Sequence, residues 1–194
     1  MDEKVKVSVL GFSFNQTRSG TYGLVLSEED GPRRLMVVVG TPEAQSIAFE
    51  LQQSKPPRPL SHDLFKSLIQ QFKITVLEVL IYKYEDGIYF SKIFLRQKEE
   101  IVELESRTSD AVAIALRVKA PIFTFESIMS NQGVVFDERD QNKNSDPSAE
   151  DELDLSLDYS LLNKDELETM LQDAIEGEDY ELASLLRDEL RKKD

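Results

Sequence analysis

The sequence predicts an α+β fold: a duplicated unit of three strands and two helices with a largely antiparallel sheet, then an acidic linker and a helical hairpin. Residues 6–55 align with residues 73–122 without a gap and share nine identities. Within each segment, apolar residues first alternate, as in strands, and then recur at helical spacing. Residues 138–160 separate these segments from a C-terminal stretch with two helical patterns. We therefore expect a domain at 1–137, a flexible linker at 138–160 and a hairpin at 161–194.

Three strands are expected in each half of the domain. Apolar residues alternate at 5–9 and again at 74–81, and a glycine follows in each half, Gly20 and Gly87. The sequence Asp86-Gly87 between alternating apolar stretches is typical of a tight β-hairpin. Apolar stretches at 35–39 and 101–104 supply the third strand of each half.

A helix is expected after each third strand. Thr41 and Thr108 stand where a helix N-cap is expected, and Glu43 and Asp110 follow in the first turn. Small and apolar residues then recur at helical spacing, and their alanines allow close packing. A second helix is expected in each half, at 61–71 and at 124–129.

The C-terminal segment predicts two short helices separated at Gly177. Asn163 and Asp179 are placed to cap them. A hairpin of this size buries little apolar surface on its own, so its apolar stripe is expected to bind another copy of the chain or another protein. The residues expected at that surface are Leu182, Leu185 and Leu186.

Composition excludes several classes of protein. The 194 residues include no cysteine, which excludes disulfide scaffolds, zinc–thiolate sites and thiol nucleophiles. Residues 1–137 carry 16 basic and 18 acidic residues, whereas residues 138–194 carry 7 and 19. The net charge of −14 therefore belongs mainly to the tail and does not exclude a nucleic-acid substrate. Apolar runs are too short to span a bilayer, and a charged N-terminus lacks a signal-peptide pattern, so we expect a cytoplasmic protein without membrane contact.

Four ordered motifs resemble the bifunctional nuclease (BFN) domain family joined to a UVR motif. The BFN resemblance covers roughly residues 4–130 and depends on residues 39–44 (VGTPEA), 58–64 (RPLSHDL) and 105–117 (ESRTSDAVAIALR). The UVR resemblance covers residues 167–192 and depends on residues 178–189 (EDYELASLLRDE). The family usually has Arg-Pro-Ser-Asp at 107–110 and Thr at 61, where this chain has Arg-Thr-Ser-Asp and Ser. The resemblance implies nuclease activity on DNA and RNA.

The candidate site combines the single histidine with nearby arginines and carboxylates. Phosphodiester cleavage needs a group that activates the nucleophile and groups that stabilise phosphate charge. The catalytic candidates are His62, Asp63, Asp110 and Arg107. Substrate contacts are expected from Arg58, Ser109 and Arg117. A Mg²⁺ or Mn²⁺ ion is expected at Asp63, Asp110 and Glu105, with Glu43 as a further carboxylate.

A purely structural interpretation of the same motifs stays open. Ser61 and Asp63, Thr108 and Asp110 all stand at predicted helix starts, where hydroxyls cap and carboxylates favour the helix dipole. Arg107 and Arg117 could simply pair with Glu105 or Asp110. The rival function is that of a non-catalytic adaptor that binds a partner through the hairpin. A homodimer is compatible with either function.

Overall fold

The computed structural model describes residues 2–13, 21–135, 164–176 and 180–192. It confirms an α+β fold with a mostly antiparallel sheet and a C-terminal pair of helices. The predicted linker, the turn around Gly20, Asn163, Gly177 and Asp179 lie outside the described residues. None of the described helices has the length and apolar character needed to cross a membrane.

Eight strands form one sheet in the order β6-β5-β4-β7-β1-β2-β3-β8. Among neighbouring strands, β4 and β7 are parallel and the other pairs are antiparallel. The strands are β1 (Lys4–Ser13), β2 (Thr21–Glu28), β3 (Arg33–Gly40), β4 (Thr75–Glu85), β5 (Ile88–Gln97), β6 (Glu100–Arg107), β7 (Ile122–Phe125) and β8 (Val134–Val135).

Four helices lie in the domain and two in the hairpin. They are α1 (Thr41–Leu51), α2 (Ser61–Gln71), α3 (Thr108–Val118), α4 (Glu126–Gln132), α5 (Lys164–Glu176) and α6 (Tyr180–Lys192). The predicted helix at 61–71 is confirmed. The predicted helix at 124–129 is wrong at its start, because Thr124 and Phe125 belong to β7 and pair with β1.

Each half contains three antiparallel strands that lead directly into a helix, as predicted. The halves differ afterwards, because β7 lies between α3 and α4 and no strand lies between α1 and α2. The common origin of the two segments by duplication stays a prediction.

The predicted threonine and serine caps are wrong. Thr41, Ser61 and Thr108 are the first helical residues, and their N-caps are Gly40, Leu60 and Arg107. At Gly40 and Arg107 no side chain of the N-cap residue accepts a backbone N–H of the helix. Each third strand therefore turns straight into its helix, and the carboxylates of the first turn are left available for other partners.

The core lies between the sheet and the adjoining helices α1 and α3. Both helices contact each other and contact strands of the sheet. Small side chains fill the helix contact, so the two backbones approach closely. The alanines buried in this region are Ala44, Ala48, Ala111, Ala113 and Ala115.

The hairpin helices α5 and α6 pack against each other. Leu167, Ala174 and Leu186 are buried, whereas Ile175 and Leu185 are exposed. The side chain of Leu182 lies outside the described residues. Of the predicted partner-binding leucines, Leu186 is therefore wrong as a surface residue, and Leu185 is the one that the structure exposes.

The turn between β4 and β5 confirms the predicted hairpin and gives the first testable prediction. Asp86 and Gly87 are its two loop residues and both have positive φ, 51° and 82°, as a type I′ turn requires. A Cβ atom at Gly87 would meet open space. Gly87→Ala should therefore lower the free energy of unfolding by about 1 kcal/mol through backbone strain alone. Urea denaturation measures the change. Asp86→Asn is the control, because asparagine tolerates this conformation; an equal loss in both variants would contradict the explanation.

Candidate functional site

The candidate site lies where the first turns of α1 and α3 meet. An open groove of about 640 Å³ begins there. It is lined by residues of β3 and by residues of β5 and β6, although β3 stands far from those strands in the sheet order. The sheet therefore curls around α1 and α3, and this curvature brings the starts of both helices to one groove.

Arg107 connects the groove to a buried polar cluster. Its Nε donates to Asp110 Oδ2 at 2.6 Å, and its Nη2 donates to Glu43 Oε1 at 2.7 Å. The Arg107 side chain is 69% exposed, and both Arg107 and Glu43 line the groove. A guanidinium held by two carboxylates keeps a defined position while part of it faces solvent. The two carboxylates raise the pKa of Arg107, so it stays a cation.

His62 and Asp110 are brought together as predicted. His62 Nε2 lies 3.0 Å from Asp110 Oδ1, and His62 Nδ1 lies 2.8 Å from the Ser46 hydroxyl. Because an ionised Asp110 can only accept, the proton of a neutral imidazole belongs on Nε2, and Nδ1 then accepts from Ser46. Both ring nitrogens are therefore engaged, and the ring is only 13% exposed.

Asp110 is an ionised carboxylate with several donors around it. Burial by itself would raise the pKa of Asp110, but the hydrogen bonds from Arg107 and His62 outweigh burial and lower that pKa. Asp110 is therefore a poor proton acceptor near neutral pH. Its geometry suits it to orienting Arg107 and His62.

Arg117 and Asp63 form a second pair next to the first. Arg117 Nε donates to Asp63 Oδ1 at 2.6 Å, and the other guanidinium nitrogens donate to the carbonyls of Ala113 and Ser46, both at 3.1 Å. Asp63 Oδ2 also accepts the Leu60 N–H at 2.8 Å. Burial would raise the pKa of Asp63, and the bonds from Arg117 and Leu60 more than offset it, so that pKa is lowered. Ser46 thus joins both pairs, and α1, α2 and α3 are bound into one network.

Of the three predicted substrate contacts, one is wrong and two stay predictions. Arg117 is not a substrate contact, because its side chain is 1% exposed. Arg58 is exposed, and its predicted contact with substrate stays a prediction. Ser109 lines the groove but is almost buried.

The predicted metal ligands do not converge. Glu105 lines the groove and accepts from the Tyr82 hydroxyl, while Asp63 is held by Arg117 and Asp110 by Arg107. Among the described residues, no group of three or more carboxylate, histidine or cysteine side chains is placed to hold a metal ion. The set of Asp63, Asp110 and Glu105 therefore does not fit a shared Mg²⁺ or Mn²⁺ ion.

Ser46 and Glu43 carry more of the site than the sequence indicates. Ser46 is only 2% exposed and is followed by the buried apolar residues Ile47 and Ala48. A buried hydroxyl needs a hydrogen-bond partner, so a serine directly before apolar helix residues is the feature of the sequence that could have indicated a polar contact here. Glu43 is an acidic residue in the first turn of α1, and a favourable interaction with the helix dipole would by itself explain its position.

Comparisons with known proteins agree with these motifs. The sequence profile of the bifunctional nuclease domain matches residues 24–137, and that of the UvrB/UvrC motif matches residues 163–193. An uncharacterized protein of Mycobacterium tuberculosis is 32% identical over 149 residues, which cover 77% of this chain and 88% of the relative. Bifunctional nuclease 1 of Oryza sativa is 30% identical over 58% of this chain and 35% of its own length. Bifunctional nuclease 2 of Arabidopsis thaliana is 25% identical over 87% of this chain and 54% of its own length.

The Arg117–Asp63 pair gives a prediction on stability and its pH dependence. Arg117→Met should lower the free energy of unfolding by about 3 kcal/mol at pH 7, because it leaves buried acceptors without their donor. The bond from Arg117 lowers the pKa of Asp63 in the folded state, so its contribution is complete above the unfolded value of about 3.9 and disappears as the pH falls through the folded value. Urea denaturation of both proteins between pH 7 and pH 3 should therefore show the difference narrowing below about pH 4. Lys6→Met, which removes an exposed pair with Glu29, is the control and should change stability by less than about 1 kcal/mol. A difference between wild type and Arg117→Met that stays constant with pH would contradict a role for the ion pair.

Proposed function

Since the chain belongs to the bifunctional nuclease domain family, we propose that it is a nuclease that hydrolyses phosphodiester bonds of DNA or RNA at the groove beside Arg107. The observation that carries the proposal is the position of Arg107. Its exposed guanidinium stands at the junction of two helix starts, held by Glu43 and Asp110. A fixed, exposed guanidinium can hold the non-bridging oxygens of a phosphate bidentately.

Glu43 is the proposed proton acceptor. It lines the groove, and among the carboxylates bonded to Arg107 it is the one whose second oxygen has no bonded partner among the described residues. A water beside a phosphate on Arg107 would lie within reach of that oxygen, as general base catalysis requires. His62 and Asp110, which the sequence places in catalytic roles, act here as positioning residues for Arg107.

Dependence on Mg²⁺ or Mn²⁺ belongs to the same proposal. Such an ion would supply charge stabilisation for the phosphate and lower the pKa of a bound water. Asp63 and Asp110 already accept hydrogen bonds from Arg117 and Arg107, so they do not form a ready set of ligands for such an ion. The chain's own residues therefore carry the proposed phosphate contact and proton transfer. The cleavage assay includes the ions separately.

The test is cleavage of single-stranded DNA and RNA by the full chain with Mg²⁺, Mn²⁺ or EDTA. Arg107→Met and Glu43→Gln should each lower the rate by about 10²-fold or more, because each removes a group used in the transition state. Lys192→Gln removes an exposed positive charge on α6, outside the groove lining, and should keep the wild-type rate.

The other outcomes of this assay are equally informative. Equal cleavage by all variants would place the activity elsewhere or in a contaminant. Absence of cleavage by the wild type would favour the rival function of a non-catalytic adaptor. A rate that is unchanged by EDTA would remove metal dependence and leave the proposed base and phosphate contact in place.

The hairpin is proposed to bind a protein, with a second copy of this chain as the first partner to test. Leu185, Ile175 and Tyr180 are exposed apolar or aromatic residues on α5 and α6. Leu185→Asp should raise the dissociation constant of a dimer by about tenfold or more, since it places a charge in an apolar contact. Sedimentation over a range of concentrations measures it, with Lys192→Gln on the same helix as control. A wild type that remains monomeric throughout would exclude the second copy.

A further inference from the structure

One face of the sheet carries aromatic rings and lysines, and in the part of the chain that the structure describes the domain's helices pack on the other face. Buried residues that face the helices, such as Ile93 and Ile122, alternate along β5 and β7 with partly exposed rings. We call the opposite side the outer face and define it by the rings Tyr82, Phe90, Phe94 and Phe123 and the lysines Lys4, Lys83 and Lys92. Strand register places these residues side by side on β1, β4, β5 and β7.

Each lysine of the outer face lies above a ring. The Lys4 ammonium is 5.7 Å from the centroid of Phe94 and 5.6 Å from that of Phe123. Lys83 lies 5.2 Å from the Phe90 centroid, and Lys92 lies 5.0 Å from the Tyr82 centroid. Ring surfaces and positive charges therefore alternate across neighbouring strands.

Single-stranded nucleic acids are bound by this combination of groups. Bases stack on aromatic side chains of an open sheet, and nearby cations follow the phosphates. The lysines are paired with Glu78, Glu85 and Glu103 at the surface. Such exposed pairs contribute little energy, so an ammonium can leave its ring and carboxylate for a phosphate when a base stacks in its place.

The outer face runs directly into the groove. Phe90 pairs with Arg107 across β5 and β6, and both residues line the groove. Antiparallel partners point to the same side of a sheet, so Arg107 stands next to Phe90 at the end of the row of rings. A single strand of nucleic acid whose bases stack along the rings would therefore bring its following phosphates to the Arg107 guanidinium.

We infer that the outer face binds a single strand of DNA or RNA by stacking and leads it to the groove. The inference deepens the proposed function and depends on it for the class of ligand. It assigns the substrate's binding energy to Phe90, Phe94 and Phe123 and leaves the chemistry to Glu43 and Arg107.

The test is binding of a fluorescein-labelled oligothymidylate of about 12 nucleotides to the full chain, followed by anisotropy in EDTA. Phe94→Leu and Phe123→Leu remove the ring and keep an apolar side chain, so the sheet should remain folded. Each substitution should raise the dissociation constant by about five- to tenfold, which is the lower end of the effect expected when one stacking ring is lost. Phe72→Leu is the matched control, because Phe72 is an exposed phenylalanine just after α2 and should leave binding unchanged. Thermal unfolding of every variant confirms that it is folded.

Each outcome separates the outer face from the catalytic proposal. Equal binding by all variants, or equal affinity for a duplex of the same sequence, would overturn stacking on these rings. Ring variants that change the oligomeric state instead of oligonucleotide binding would overturn it as well, because the outer face would then be a contact between copies. Ring-dependent binding without cleavage would keep the outer face and refute the nuclease. If the wild type cleaves and the ring variants bind the oligonucleotide as tightly as it does, the nuclease proposal would stand and the role of the outer face would be refuted.

Discussion

The close packing of α1 against α3 is the constraint on which the rest of the site depends. Alanines on both helices let the backbones approach, and the sheet curls around the pair. Each helix begins directly at the end of its strand, Gly40 for α1 and Arg107 for α3. The two helix starts therefore meet, and Glu43 of one half contacts Arg107 of the other. A larger residue at Ala48 or Ala115 would push the two helices apart. It would thereby separate Glu43 from Arg107 without altering either side chain.

The network around Ser46 then fixes the helices in register. Arg117 of α3 binds the Ser46 carbonyl of α1 and the Asp63 carboxylate of α2, while the Ser46 hydroxyl contacts His62. Within this network the carboxylates are matched by arginines or N–H groups, so the charges are compensated where they are buried. Arg107 differs, because the compensated side of its guanidinium faces inward and the rest faces the groove. A structural network of this kind can thus present one oriented cation to a substrate.

The sequence predicts the parts of this molecule that depend on local periodicity and turn chemistry. The strands, the helix at 61–71 and the Asp86-Gly87 hairpin follow from alternation, helical spacing and two residues that tolerate positive φ. It does not predict β7, because four residues between two helices carry too short a pattern. The motifs predict that His62 and Asp110 lie close together, but they do not predict that Arg117 is buried. An arginine at the end of a helix usually faces solvent, and only the fold places Ser46 and Asp63 around it.

Charge explains why stacking is needed if a nucleic acid is the substrate. Residues 1–137 carry slightly more acidic than basic residues, and Lys4, Lys83 and Lys92 are already paired with carboxylates. Affinity for a phosphate backbone grows with the number of phosphates that are neutralised, so a nearly neutral domain gains little from charge alone. Rings add free energy for each base without requiring net positive charge. A duplex hides its bases from such rings, whereas a single strand presents them. On this basis the domain should select single strands, and the acidic tail should weaken binding to any phosphate backbone without changing that preference.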